Sequence, residues 1–194
     1  MFAAIPINLA VVTHDKKLVV VRRSENVAEG PGLFNSSVDE SILLTEDVNR
    51  DGLIDYEMAA RRGLYEELGI RSDQVEHVRF TAIGYARRVH QYTAIGHAML
   101  KITYEKLTEQ LEVARDASFE VARNDDGGLE VYCVDHTPGG FSAFLTTHLS
   151  PEKQITSFGL ACFLISLRAR GWPWQDIEQA FRGRFFKEGK FIAM

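Results

Sequence analysis

Two adjacent glutamates lie at the end of a short helical segment in the first half of the chain. The sequence around them is Ala59-Ala60-Arg61-Arg62-Gly63-Leu64-Tyr65-Glu66-Glu67-Leu68-Gly69-Ile70. Residues i, i+3 and i+4 share one face of a helix, so position 63 lies beside Glu66 and Glu67, and Arg62 can pair with Glu66. Neighbouring carboxylates repel each other unless a positive charge lies between them. A divalent metal ion that carries a phosphate is such a charge, so the segment predicts a metal site for phosphorylated compounds.

The same segment resembles the C-terminal half of the Nudix box, a family pattern written G-x5-E-x7-R-E-U-x-E-E-x-G-U, where U is aliphatic. Arg62 matches the box arginine, Glu66 and Glu67 match two of its glutamates, and Gly69 matches the glycine that ends the helix. The resemblance implies that Arg62, Glu66 and Glu67 are catalytic. It also implies that the two glutamates are metal ligands that hold Mg²⁺ or Mn²⁺ against a diphosphate. Gly63 departs from the pattern, because the family has a glutamate there and glycine has no side chain to bind a metal.

The upstream half of the pattern is altered more strongly. Asn35-Ser36-Ser37-Val38-Asp39 corresponds to the place where the family has paired glycines before an aliphatic residue and an acid, and both glycines are replaced. Ser36 and Arg62 are 26 positions apart, whereas the family pattern spans 14, so about 12 residues are inserted. Asp39 and Glu40 are the nearest candidates for the glutamate of G-x5-E. The predicted box region covers residues 35–70, with the insertion at 43–57.

The insertion contains a second pattern that is typical of metal sites. Its sequence is Asp47-Val48-Asn49-Arg50-Asp51-Gly52-Leu53-Ile54-Asp55-Tyr56-Glu57-Met58, which matches the first nine positions of an EF-hand calcium loop. Oxygens of Asp47, Asn49 and Asp51 would bind Ca²⁺, but Met58 occupies the twelfth position, where the motif needs a bidentate carboxylate. Three interpretations stay open: an acidic surface loop closed by an Asn-Arg-Asp-Gly turn, a weak calcium site, or a loop whose acids replace the carboxylate absent at position 63. The acids concerned in the third case are Asp51, Asp55 and Glu57.

Other charged residues near the predicted cleft are further candidates. Arg22 and Arg23 end the second predicted strand, where family members often place an arginine that contacts phosphate, so the resemblance implies substrate binding. Solvated charges at a strand end explain them equally well. Asp116 and Glu120 occupy a region from which many relatives supply a further acidic ligand or general base, although a helix surface would also account for them.

Composition restricts the function classes. The chain has 194 residues, of which 45% are hydrophobic and 25% charged, and its net charge is −5. These values are typical of a soluble globular protein. The negative charge argues against a broad nucleic-acid surface, but it permits small phosphorylated ligands because a bound metal reverses the local charge. Two cysteines are too few for a disulfide framework, which favours the cytoplasm. The N-terminus lacks the basic region of a signal peptide, and no apolar run is long enough for a membrane helix, so we expect no membrane association.

Hydrophobic periodicity predicts an α+β fold. Ala60, Leu64 and Leu68 recur every four residues and predict a helix from Tyr56 to Leu68 that ends at Gly69. Strands are predicted at 7–12, 17–21, 78–86, 92–103 and 129–134, and further helices at 105–114, 159–171 and 173–182. This order is similar to that of the Nudix fold. The resemblance therefore implies an α/β/α sandwich with a mixed sheet, in a single domain over 1–194 with a C-terminal helical segment at 153–187.

Two functions from different classes fit these observations. The first is a metal-dependent hydrolase, a Nudix-type pyrophosphohydrolase that acts on a nucleotide-like small molecule with a diphosphate linkage. Its third acid is unassigned. The second is a catalytically inactive Nudix-fold module for ligand binding or regulation, suggested by the loss of the carboxylate at Gly63 and of both box glycines. A homodimer is compatible with either function, and the insertion and the helical tail are the segments that would form it.

Overall fold

The computed structural model describes residues 5–28, 30–87, 90–111, 114, 121–125, 127–150 and 154–182, and the backbone of 186–187 and 190–191. The strands are β1 (Ile7–Val12), β2 (Lys17–Arg22), β3 (Phe34–Asn35), β4 (Val38–Glu40), β5 (Val75–Ala86), β6 (Gln91–Leu100), β7 (Val131–Asp135), β8 (Phe186–Lys187) and β9 (Lys190–Phe191). The helices are α1 (Tyr56–Leu68), α2 (Tyr104–Leu111), α3 (Pro138–His148), α4 (Ser157–Ala169) and α5 (Trp174–Ala180), and Ser72–Gln74 forms a short 3₁₀ turn.

A mixed sheet forms the centre of the fold, and β1 is its branching point. β1 pairs in parallel with β6 along one side, while on the other side it pairs first with β4 and then with β2, both antiparallel. β5 lies beside β6, and β7 lies beside β2. Ser37 lies where β1 passes from β4 to β2: its hydroxyl accepts a hydrogen bond from the Val11 N–H at 2.8 Å and donates one to the Val19 carbonyl. The side chain of Ser37 therefore joins the two branches of the sheet.

Two apolar layers cover the sheet. Alternate residues of a strand point to opposite faces, so Ile7, Leu9 and Val11 of β1 pack with α1 and α2, while Ala10 and Val12 pack with α3, α4 and α5. Every residue of β1 is buried, as expected for a strand that is covered by helices on both sides. The predicted α/β/α sandwich with a mixed sheet is confirmed.

Several elements differ from the sequence prediction. The box helix has its predicted bounds, but no helix was predicted at Pro138–His148, which begins where the Thr137 hydroxyl accepts a hydrogen bond from the Gly140 N–H at 3.0 Å. No strand was predicted at β3 or β4, because strands of two or three residues carry no periodic pattern. The helical prediction for 153–187 is wrong at its end, where Phe186–Lys187 pairs with Lys190–Phe191 in an antiparallel ladder. Within the described ranges, no helix is long and apolar enough to cross a bilayer.

The start of α4 lies directly against the β3–β4 turn. A Cβ atom added at Gly159 would be 2.8 Å from the backbone nitrogen of Ser36 and 2.9 Å from the carbonyl carbon of Asn35. The Thr156 hydroxyl caps the helix at the Gly159 N–H, and the Thr156 N–H donates to the Phe34 carbonyl at 2.8 Å. A side chain at position 159 would therefore push α4 away from the backbone on which it is anchored.

We expect Gly159→Ala to lower the free energy of unfolding by about 2–3 kcal/mol, because the added methyl group meets backbone atoms that cannot turn aside. Gly139→Ala on α3 is the matched control, since a Cβ there has no heavy atom within 4 Å. That control should change stability by less than about 1 kcal/mol, and in the stabilising direction. Urea unfolding followed by circular dichroism measures both, and equal effects of the two substitutions would contradict this packing.

His136 is buried beneath α4. Its side chain is next to Ser166, with Nε2 3.0 Å from the Ser166 Oγ, and its Nδ1 has no hydrogen-bond partner among the described residues. Burial, together with the nearby Arg170 and His97, lowers the pKa of His136 to about 3. The folded chain therefore keeps this imidazole neutral at pH values where the unfolded chain would protonate it.

The pH dependence of stability follows from His136. Because the unfolded state takes up a proton near pH ~6.5 that the folded state rejects, the free energy of unfolding should fall as the pH drops below that value, by up to about 1.4 kcal/mol per pH unit. His136→Asn removes this proton and should flatten the slope between about pH 6.5 and about pH 4. Urea midpoints at a series of pH values test the prediction, which fails if the variant and the wild type lose stability in parallel.

Candidate functional site

The box helix α1 is held at both ends. The Asp55 carboxylate accepts hydrogen bonds from the N–H groups of Glu57 and Met58 at 2.9 and 3.1 Å and so caps the first turn. Gly69 ends the helix in the left-handed conformation, with φ 67°, where a glycine is favoured. A Cβ at Gly69 would also lie 2.8 Å from the carbonyl oxygen of Gln110, so the glycine lets α2 approach. These ends give the glutamates of the last turns a defined position.

Gly63 is a point of very close contact between α1 and β4. A Cβ at this position would be 2.9 Å from the Cγ1 of Val38, and 3.0 and 3.1 Å from the Cβ and Cγ of Glu40. The family's glutamate therefore has no room here. The side chain of Glu40 fills the space that a side chain at position 63 would need.

Arg62 is the centre of an ion-pair network beside this contact. Its Nε and Nη2 bind the two Asp47 oxygens at 3.1 and 2.7 Å, and its Nη1 lies 3.0 Å from Glu66 and 3.1 Å from Glu40. Nη2 also donates to the carbonyl of Ser41 at 2.7 Å. The hydrogen bonds to Asp47 raise the pKa of Arg62 although its burial acts in the opposite direction. The predicted pairing of Arg62 with Glu66 is present, and it belongs to a larger set.

Glu40 and Glu66 lie close together because they share one nitrogen of Arg62. Their bound oxygens cannot be more than about 6 Å apart, given the two distances to Nη1. Burial raises the pKa of Glu40, and the charge of Glu66 adds to this shift, while Arg62 opposes it. Only 16% of the Glu40 side chain is exposed. An additional positive charge at this place would offset the cost of burying the Glu40 carboxylate and reduce its repulsion with Glu66.

Glu67 connects α1 with the next residue of β4. It is buried, and its carboxylate accepts a hydrogen bond from the Asp39 N–H at 3.2 Å. The Asp39 carboxylate in turn accepts from the Nη1 of Arg23 at 2.7 Å, from Asn35 at 3.1 Å and from Asn8 at 3.0 Å. Arg23 is thereby tied to an acid directly beside Glu40.

We call five residues the acidic cluster: Asp39, Glu40, Asp47, Glu66 and Glu67. Ion pairs join Asp39 to Arg23, and Glu40, Asp47 and Glu66 to Arg62, and Glu67 accepts from the Asp39 N–H. Carboxylate oxygens are the ligands that Mg²⁺ and Mn²⁺ prefer, and the excess of negative charge fits a divalent cation. Among the described residues, no three His, Cys, Asp or Glu side chains are already grouped around one point, and Glu40 and Glu66 both bind Arg62. By charge and donor type, Glu66 and Glu67 fit such an ion.

In the insertion that resembles a calcium loop, two of the three proposed ligands are engaged by the protein. The insertion is a tight hairpin in which Val48 pairs with Ile54, and the Asn49 side-chain oxygen accepts from the N–H groups of Asp51 and Leu53 at 3.0 Å each. The Asp47 carboxylate points to Arg62. Asp47 and Asn49, two of the three proposed Ca²⁺ ligands, thus have protein partners. The structure agrees instead with the acidic loop closed by an Asn-Arg-Asp-Gly turn.

The acids suggested as replacements at position 63 have other roles. Asp55 caps α1, and Glu57 pairs with Arg61 at 2.6 Å. Asp51 is exposed in the turn of the hairpin. Glu40 was considered only for the glutamate of G-x5-E, and its position beside Gly63 was missed. A signal existed in Gly63 itself, because a glycine on the buried face of a helix indicates that a neighbouring element comes close.

The two arginines proposed for substrate binding have different surroundings. Arg22 donates to the carbonyl of Gly32 at 2.9 Å and pairs with Glu130 at 2.6 Å, whereas Arg23 contacts the acidic cluster through Asp39. Asp116 and Glu120 lie outside the described residues.

A strand–loop–helix unit thus presents Arg62, Glu66 and Glu67 on a mixed sheet between two helical layers, with Gly69 as the stop. The layered α/β/α arrangement that the resemblance implied is therefore present around the box helix.

No family model matches the sequence, and no curated protein is similar to it. The chain is similar to the solved structure of DR0079 from Deinococcus radiodurans, with 16% identity and a TM-score of 0.48 over 86% of this chain and 82% of that one. It is also similar to the MutT protein from Methanosarcina mazei Go1 (12% identity, TM-score 0.49, 87% and 95% covered). A third similar structure is the C. elegans Ap4A hydrolase (11% identity, TM-score 0.45, 87% and 98% covered). The chemistry is therefore inferred from the side chains of this chain alone.

The contribution of Asp47 to folding can be measured as the change in the free energy of unfolding when it is replaced. Asp47→Ala leaves the Arg62 guanidinium without its bidentate partner in a position where only 11% of its side chain is exposed. We expect a loss of about 2–3 kcal/mol, below the full cost of breaking a buried pair because Glu40 and Glu66 remain. Glu46→Ala, at the exposed neighbouring position, should stay within about 0.5 kcal/mol of the wild type. Equal urea midpoints for the two variants would show that Asp47 does not anchor the insertion.

Proposed function

We propose that the chain is a metal-dependent hydrolase, a Nudix-type pyrophosphohydrolase that cleaves a diphosphate linkage in a nucleotide-like small molecule. The observation that carries this proposal is the position of Glu66 and Glu67 beside β4, where Arg62 binds Glu66 and the Asp39 N–H binds Glu67. Partly or fully buried carboxylates that lie close together repel one another, and a cation bound between them is favourable for that reason. Such an arrangement is typical of a metal site.

The chemistry divides between the metal and the side chains. A bound Mg²⁺ or Mn²⁺ supplies polarisation of a phosphoryl group and acidification of a water molecule. Arg62 orients Glu66 and Glu40 through its Nη1, and the Asp39 N–H orients Glu67.

Arg23 is the better candidate for contact with a substrate phosphate. Its guanidinium is held beside the acidic cluster by Asp39, and guanidinium groups suit the geometry of phosphate oxygens. Arg22 is engaged by Glu130 and by the Gly32 carbonyl, so its contacts favour a structural role. The cytoplasmic location and the homodimer stay predictions.

The activity can be tested with a panel of nucleoside triphosphates, dinucleoside polyphosphates and nucleotide sugars, with Mg²⁺ or Mn²⁺ present. We expect turnover of at least one class by the wild type, and a loss of about 100-fold or more in kcat for Glu67→Gln, which keeps the shape of the side chain but removes its charge. Glu109→Gln on α2 is the control: this exposed glutamate pairs with Lys106, and its replacement should leave kcat unchanged.

Two results would contradict the proposal. If the wild type and Glu67→Gln showed equal and negligible turnover of every compound, the proposed hydrolase activity would be wrong. A nucleotide that raises the Tm but is recovered intact after incubation would instead favour the inactive ligand-binding module.

A further inference from the structure

We infer that Glu40 supplies the third carboxylate of the metal site, in place of the one that is missing at Gly63. The inference rests on the proposed function, since it concerns the same site. It assigns to a strand residue the position that the box pattern gives to a helix residue.

The first support is steric. The Cβ and Cγ of Glu40 lie 3.0 and 3.1 Å from the point where a Cβ of residue 63 would be. A glutamate at position 40 and a side chain at position 63 would therefore compete for one space. The chain has the acid on the strand and the glycine on the helix, so the same volume still contains a glutamate.

The second support is the direction in which the side chain points. Val38 and Glu40 are two residues apart on β4, and both approach Gly63. Asp39 lies between them and binds Asn8 and Asn35. Since alternate residues of a strand point to opposite faces, Glu40 is the acid of β4 that faces the box helix.

The third support is its distance from the other glutamates. The Glu40 carboxylate reaches the Arg62 Nη1 at 3.1 Å, and Glu66 reaches the same nitrogen at 3.0 Å. Glu67 accepts its hydrogen bond from the N–H of Asp39, the residue next to Glu40. Glu40 and Glu66 thus share one cationic partner, and a metal ion that takes the place of this contact would have both carboxylates as ligands.

The inference is tested by Mn²⁺ binding without substrate, measured from the free Mn²⁺ signal in electron paramagnetic resonance. Four proteins are compared: the wild type, Glu40→Gln, Glu67→Gln and Glu46→Gln. Glu40→Gln keeps the size of the side chain at the Gly63 contact, and circular dichroism checks that each variant is folded. Glu46 is an exposed acid a few residues along the chain, so Glu46→Gln controls for the loss of one negative charge.

We expect Glu40→Gln and Glu67→Gln each to raise the Kd for Mn²⁺ by about 10-fold or more, and Glu46→Gln to leave it unchanged. Glu40→Asp, which retains the carboxylate on a shorter stem, should bind Mn²⁺ more tightly than Glu40→Gln. A further check is anomalous diffraction from a crystal soaked in Mn²⁺, which should place a Glu40 oxygen at a coordinating distance from the ion.

The possible failures are distinguishable. If Glu67→Gln weakens Mn²⁺ binding and Glu40→Gln does not, the inference about Glu40 is wrong and the proposed hydrolase stands. If the wild type binds no Mn²⁺, or if neither substitution weakens binding, the metal site and the inference both fail.

Discussion

The close contact of α1 with β4 at Gly63 is the constraint on which the rest of the site depends. Because residue 63 has no side chain, the helix approaches β4 until Val38 and Glu40 fill the space. This approach places Arg62, the preceding residue of the helix, where it can bind Glu40 as well as Glu66. The same contact also allows Glu67 to accept a hydrogen bond from β4. One absent side chain therefore brings the acids of a helix and a strand together.

The burial of the Arg62 guanidinium explains why the insertion contributes to the structure of the site. A guanidinium that is largely removed from water is costly unless its donors are bound. Asp47, which has only 2% of its side chain exposed, binds two of these donors, one with each carboxylate oxygen, at 3.1 and 2.7 Å. The hairpin that carries Asp47 is closed by its own Asn-Arg-Asp-Gly turn, so this acid is presented on a short, well-defined segment.

The serines that replace the box glycines form hydrogen bonds inside the protein. Ser37 joins β1 to β2 at the fork of the sheet, and the Ser36 hydroxyl donates to the side-chain oxygen of Asn8 at 2.7 Å. Both residues are fully buried. The close backbone approach that glycine allows is found instead at Gly159, where α4 meets the β3–β4 turn. Changes that look separate in the sequence thus belong to one region, in which β3, β4 and their neighbours are held by side-chain hydrogen bonds.

The sequence alone determined the features that depend on neighbours along the chain. The bounds of α1, its stop at Gly69 and the pairing of Arg62 with Glu66 were predicted because capping and i,i+4 contacts are local. The long strands and the layered fold were predicted because hydrophobic periodicity reports which face of an element is buried. The Asn-Arg-Asp-Gly turn, one of the three interpretations of the insertion, is local in the same sense.

Only the tertiary structure decided which acids meet. Glu40 faces Gly63 because β4 pairs with β1 in one register, with Leu9 opposite Val38, and because α1 packs across that pair. Asp47 forms an ion pair with Arg62 because the hairpin folds back onto α1. These contacts join residues that are far apart in the chain, and no periodicity or spacing encodes the distance between them. The physical reason is that the position of a side chain across a strand–helix contact depends on packing, which a linear pattern does not contain.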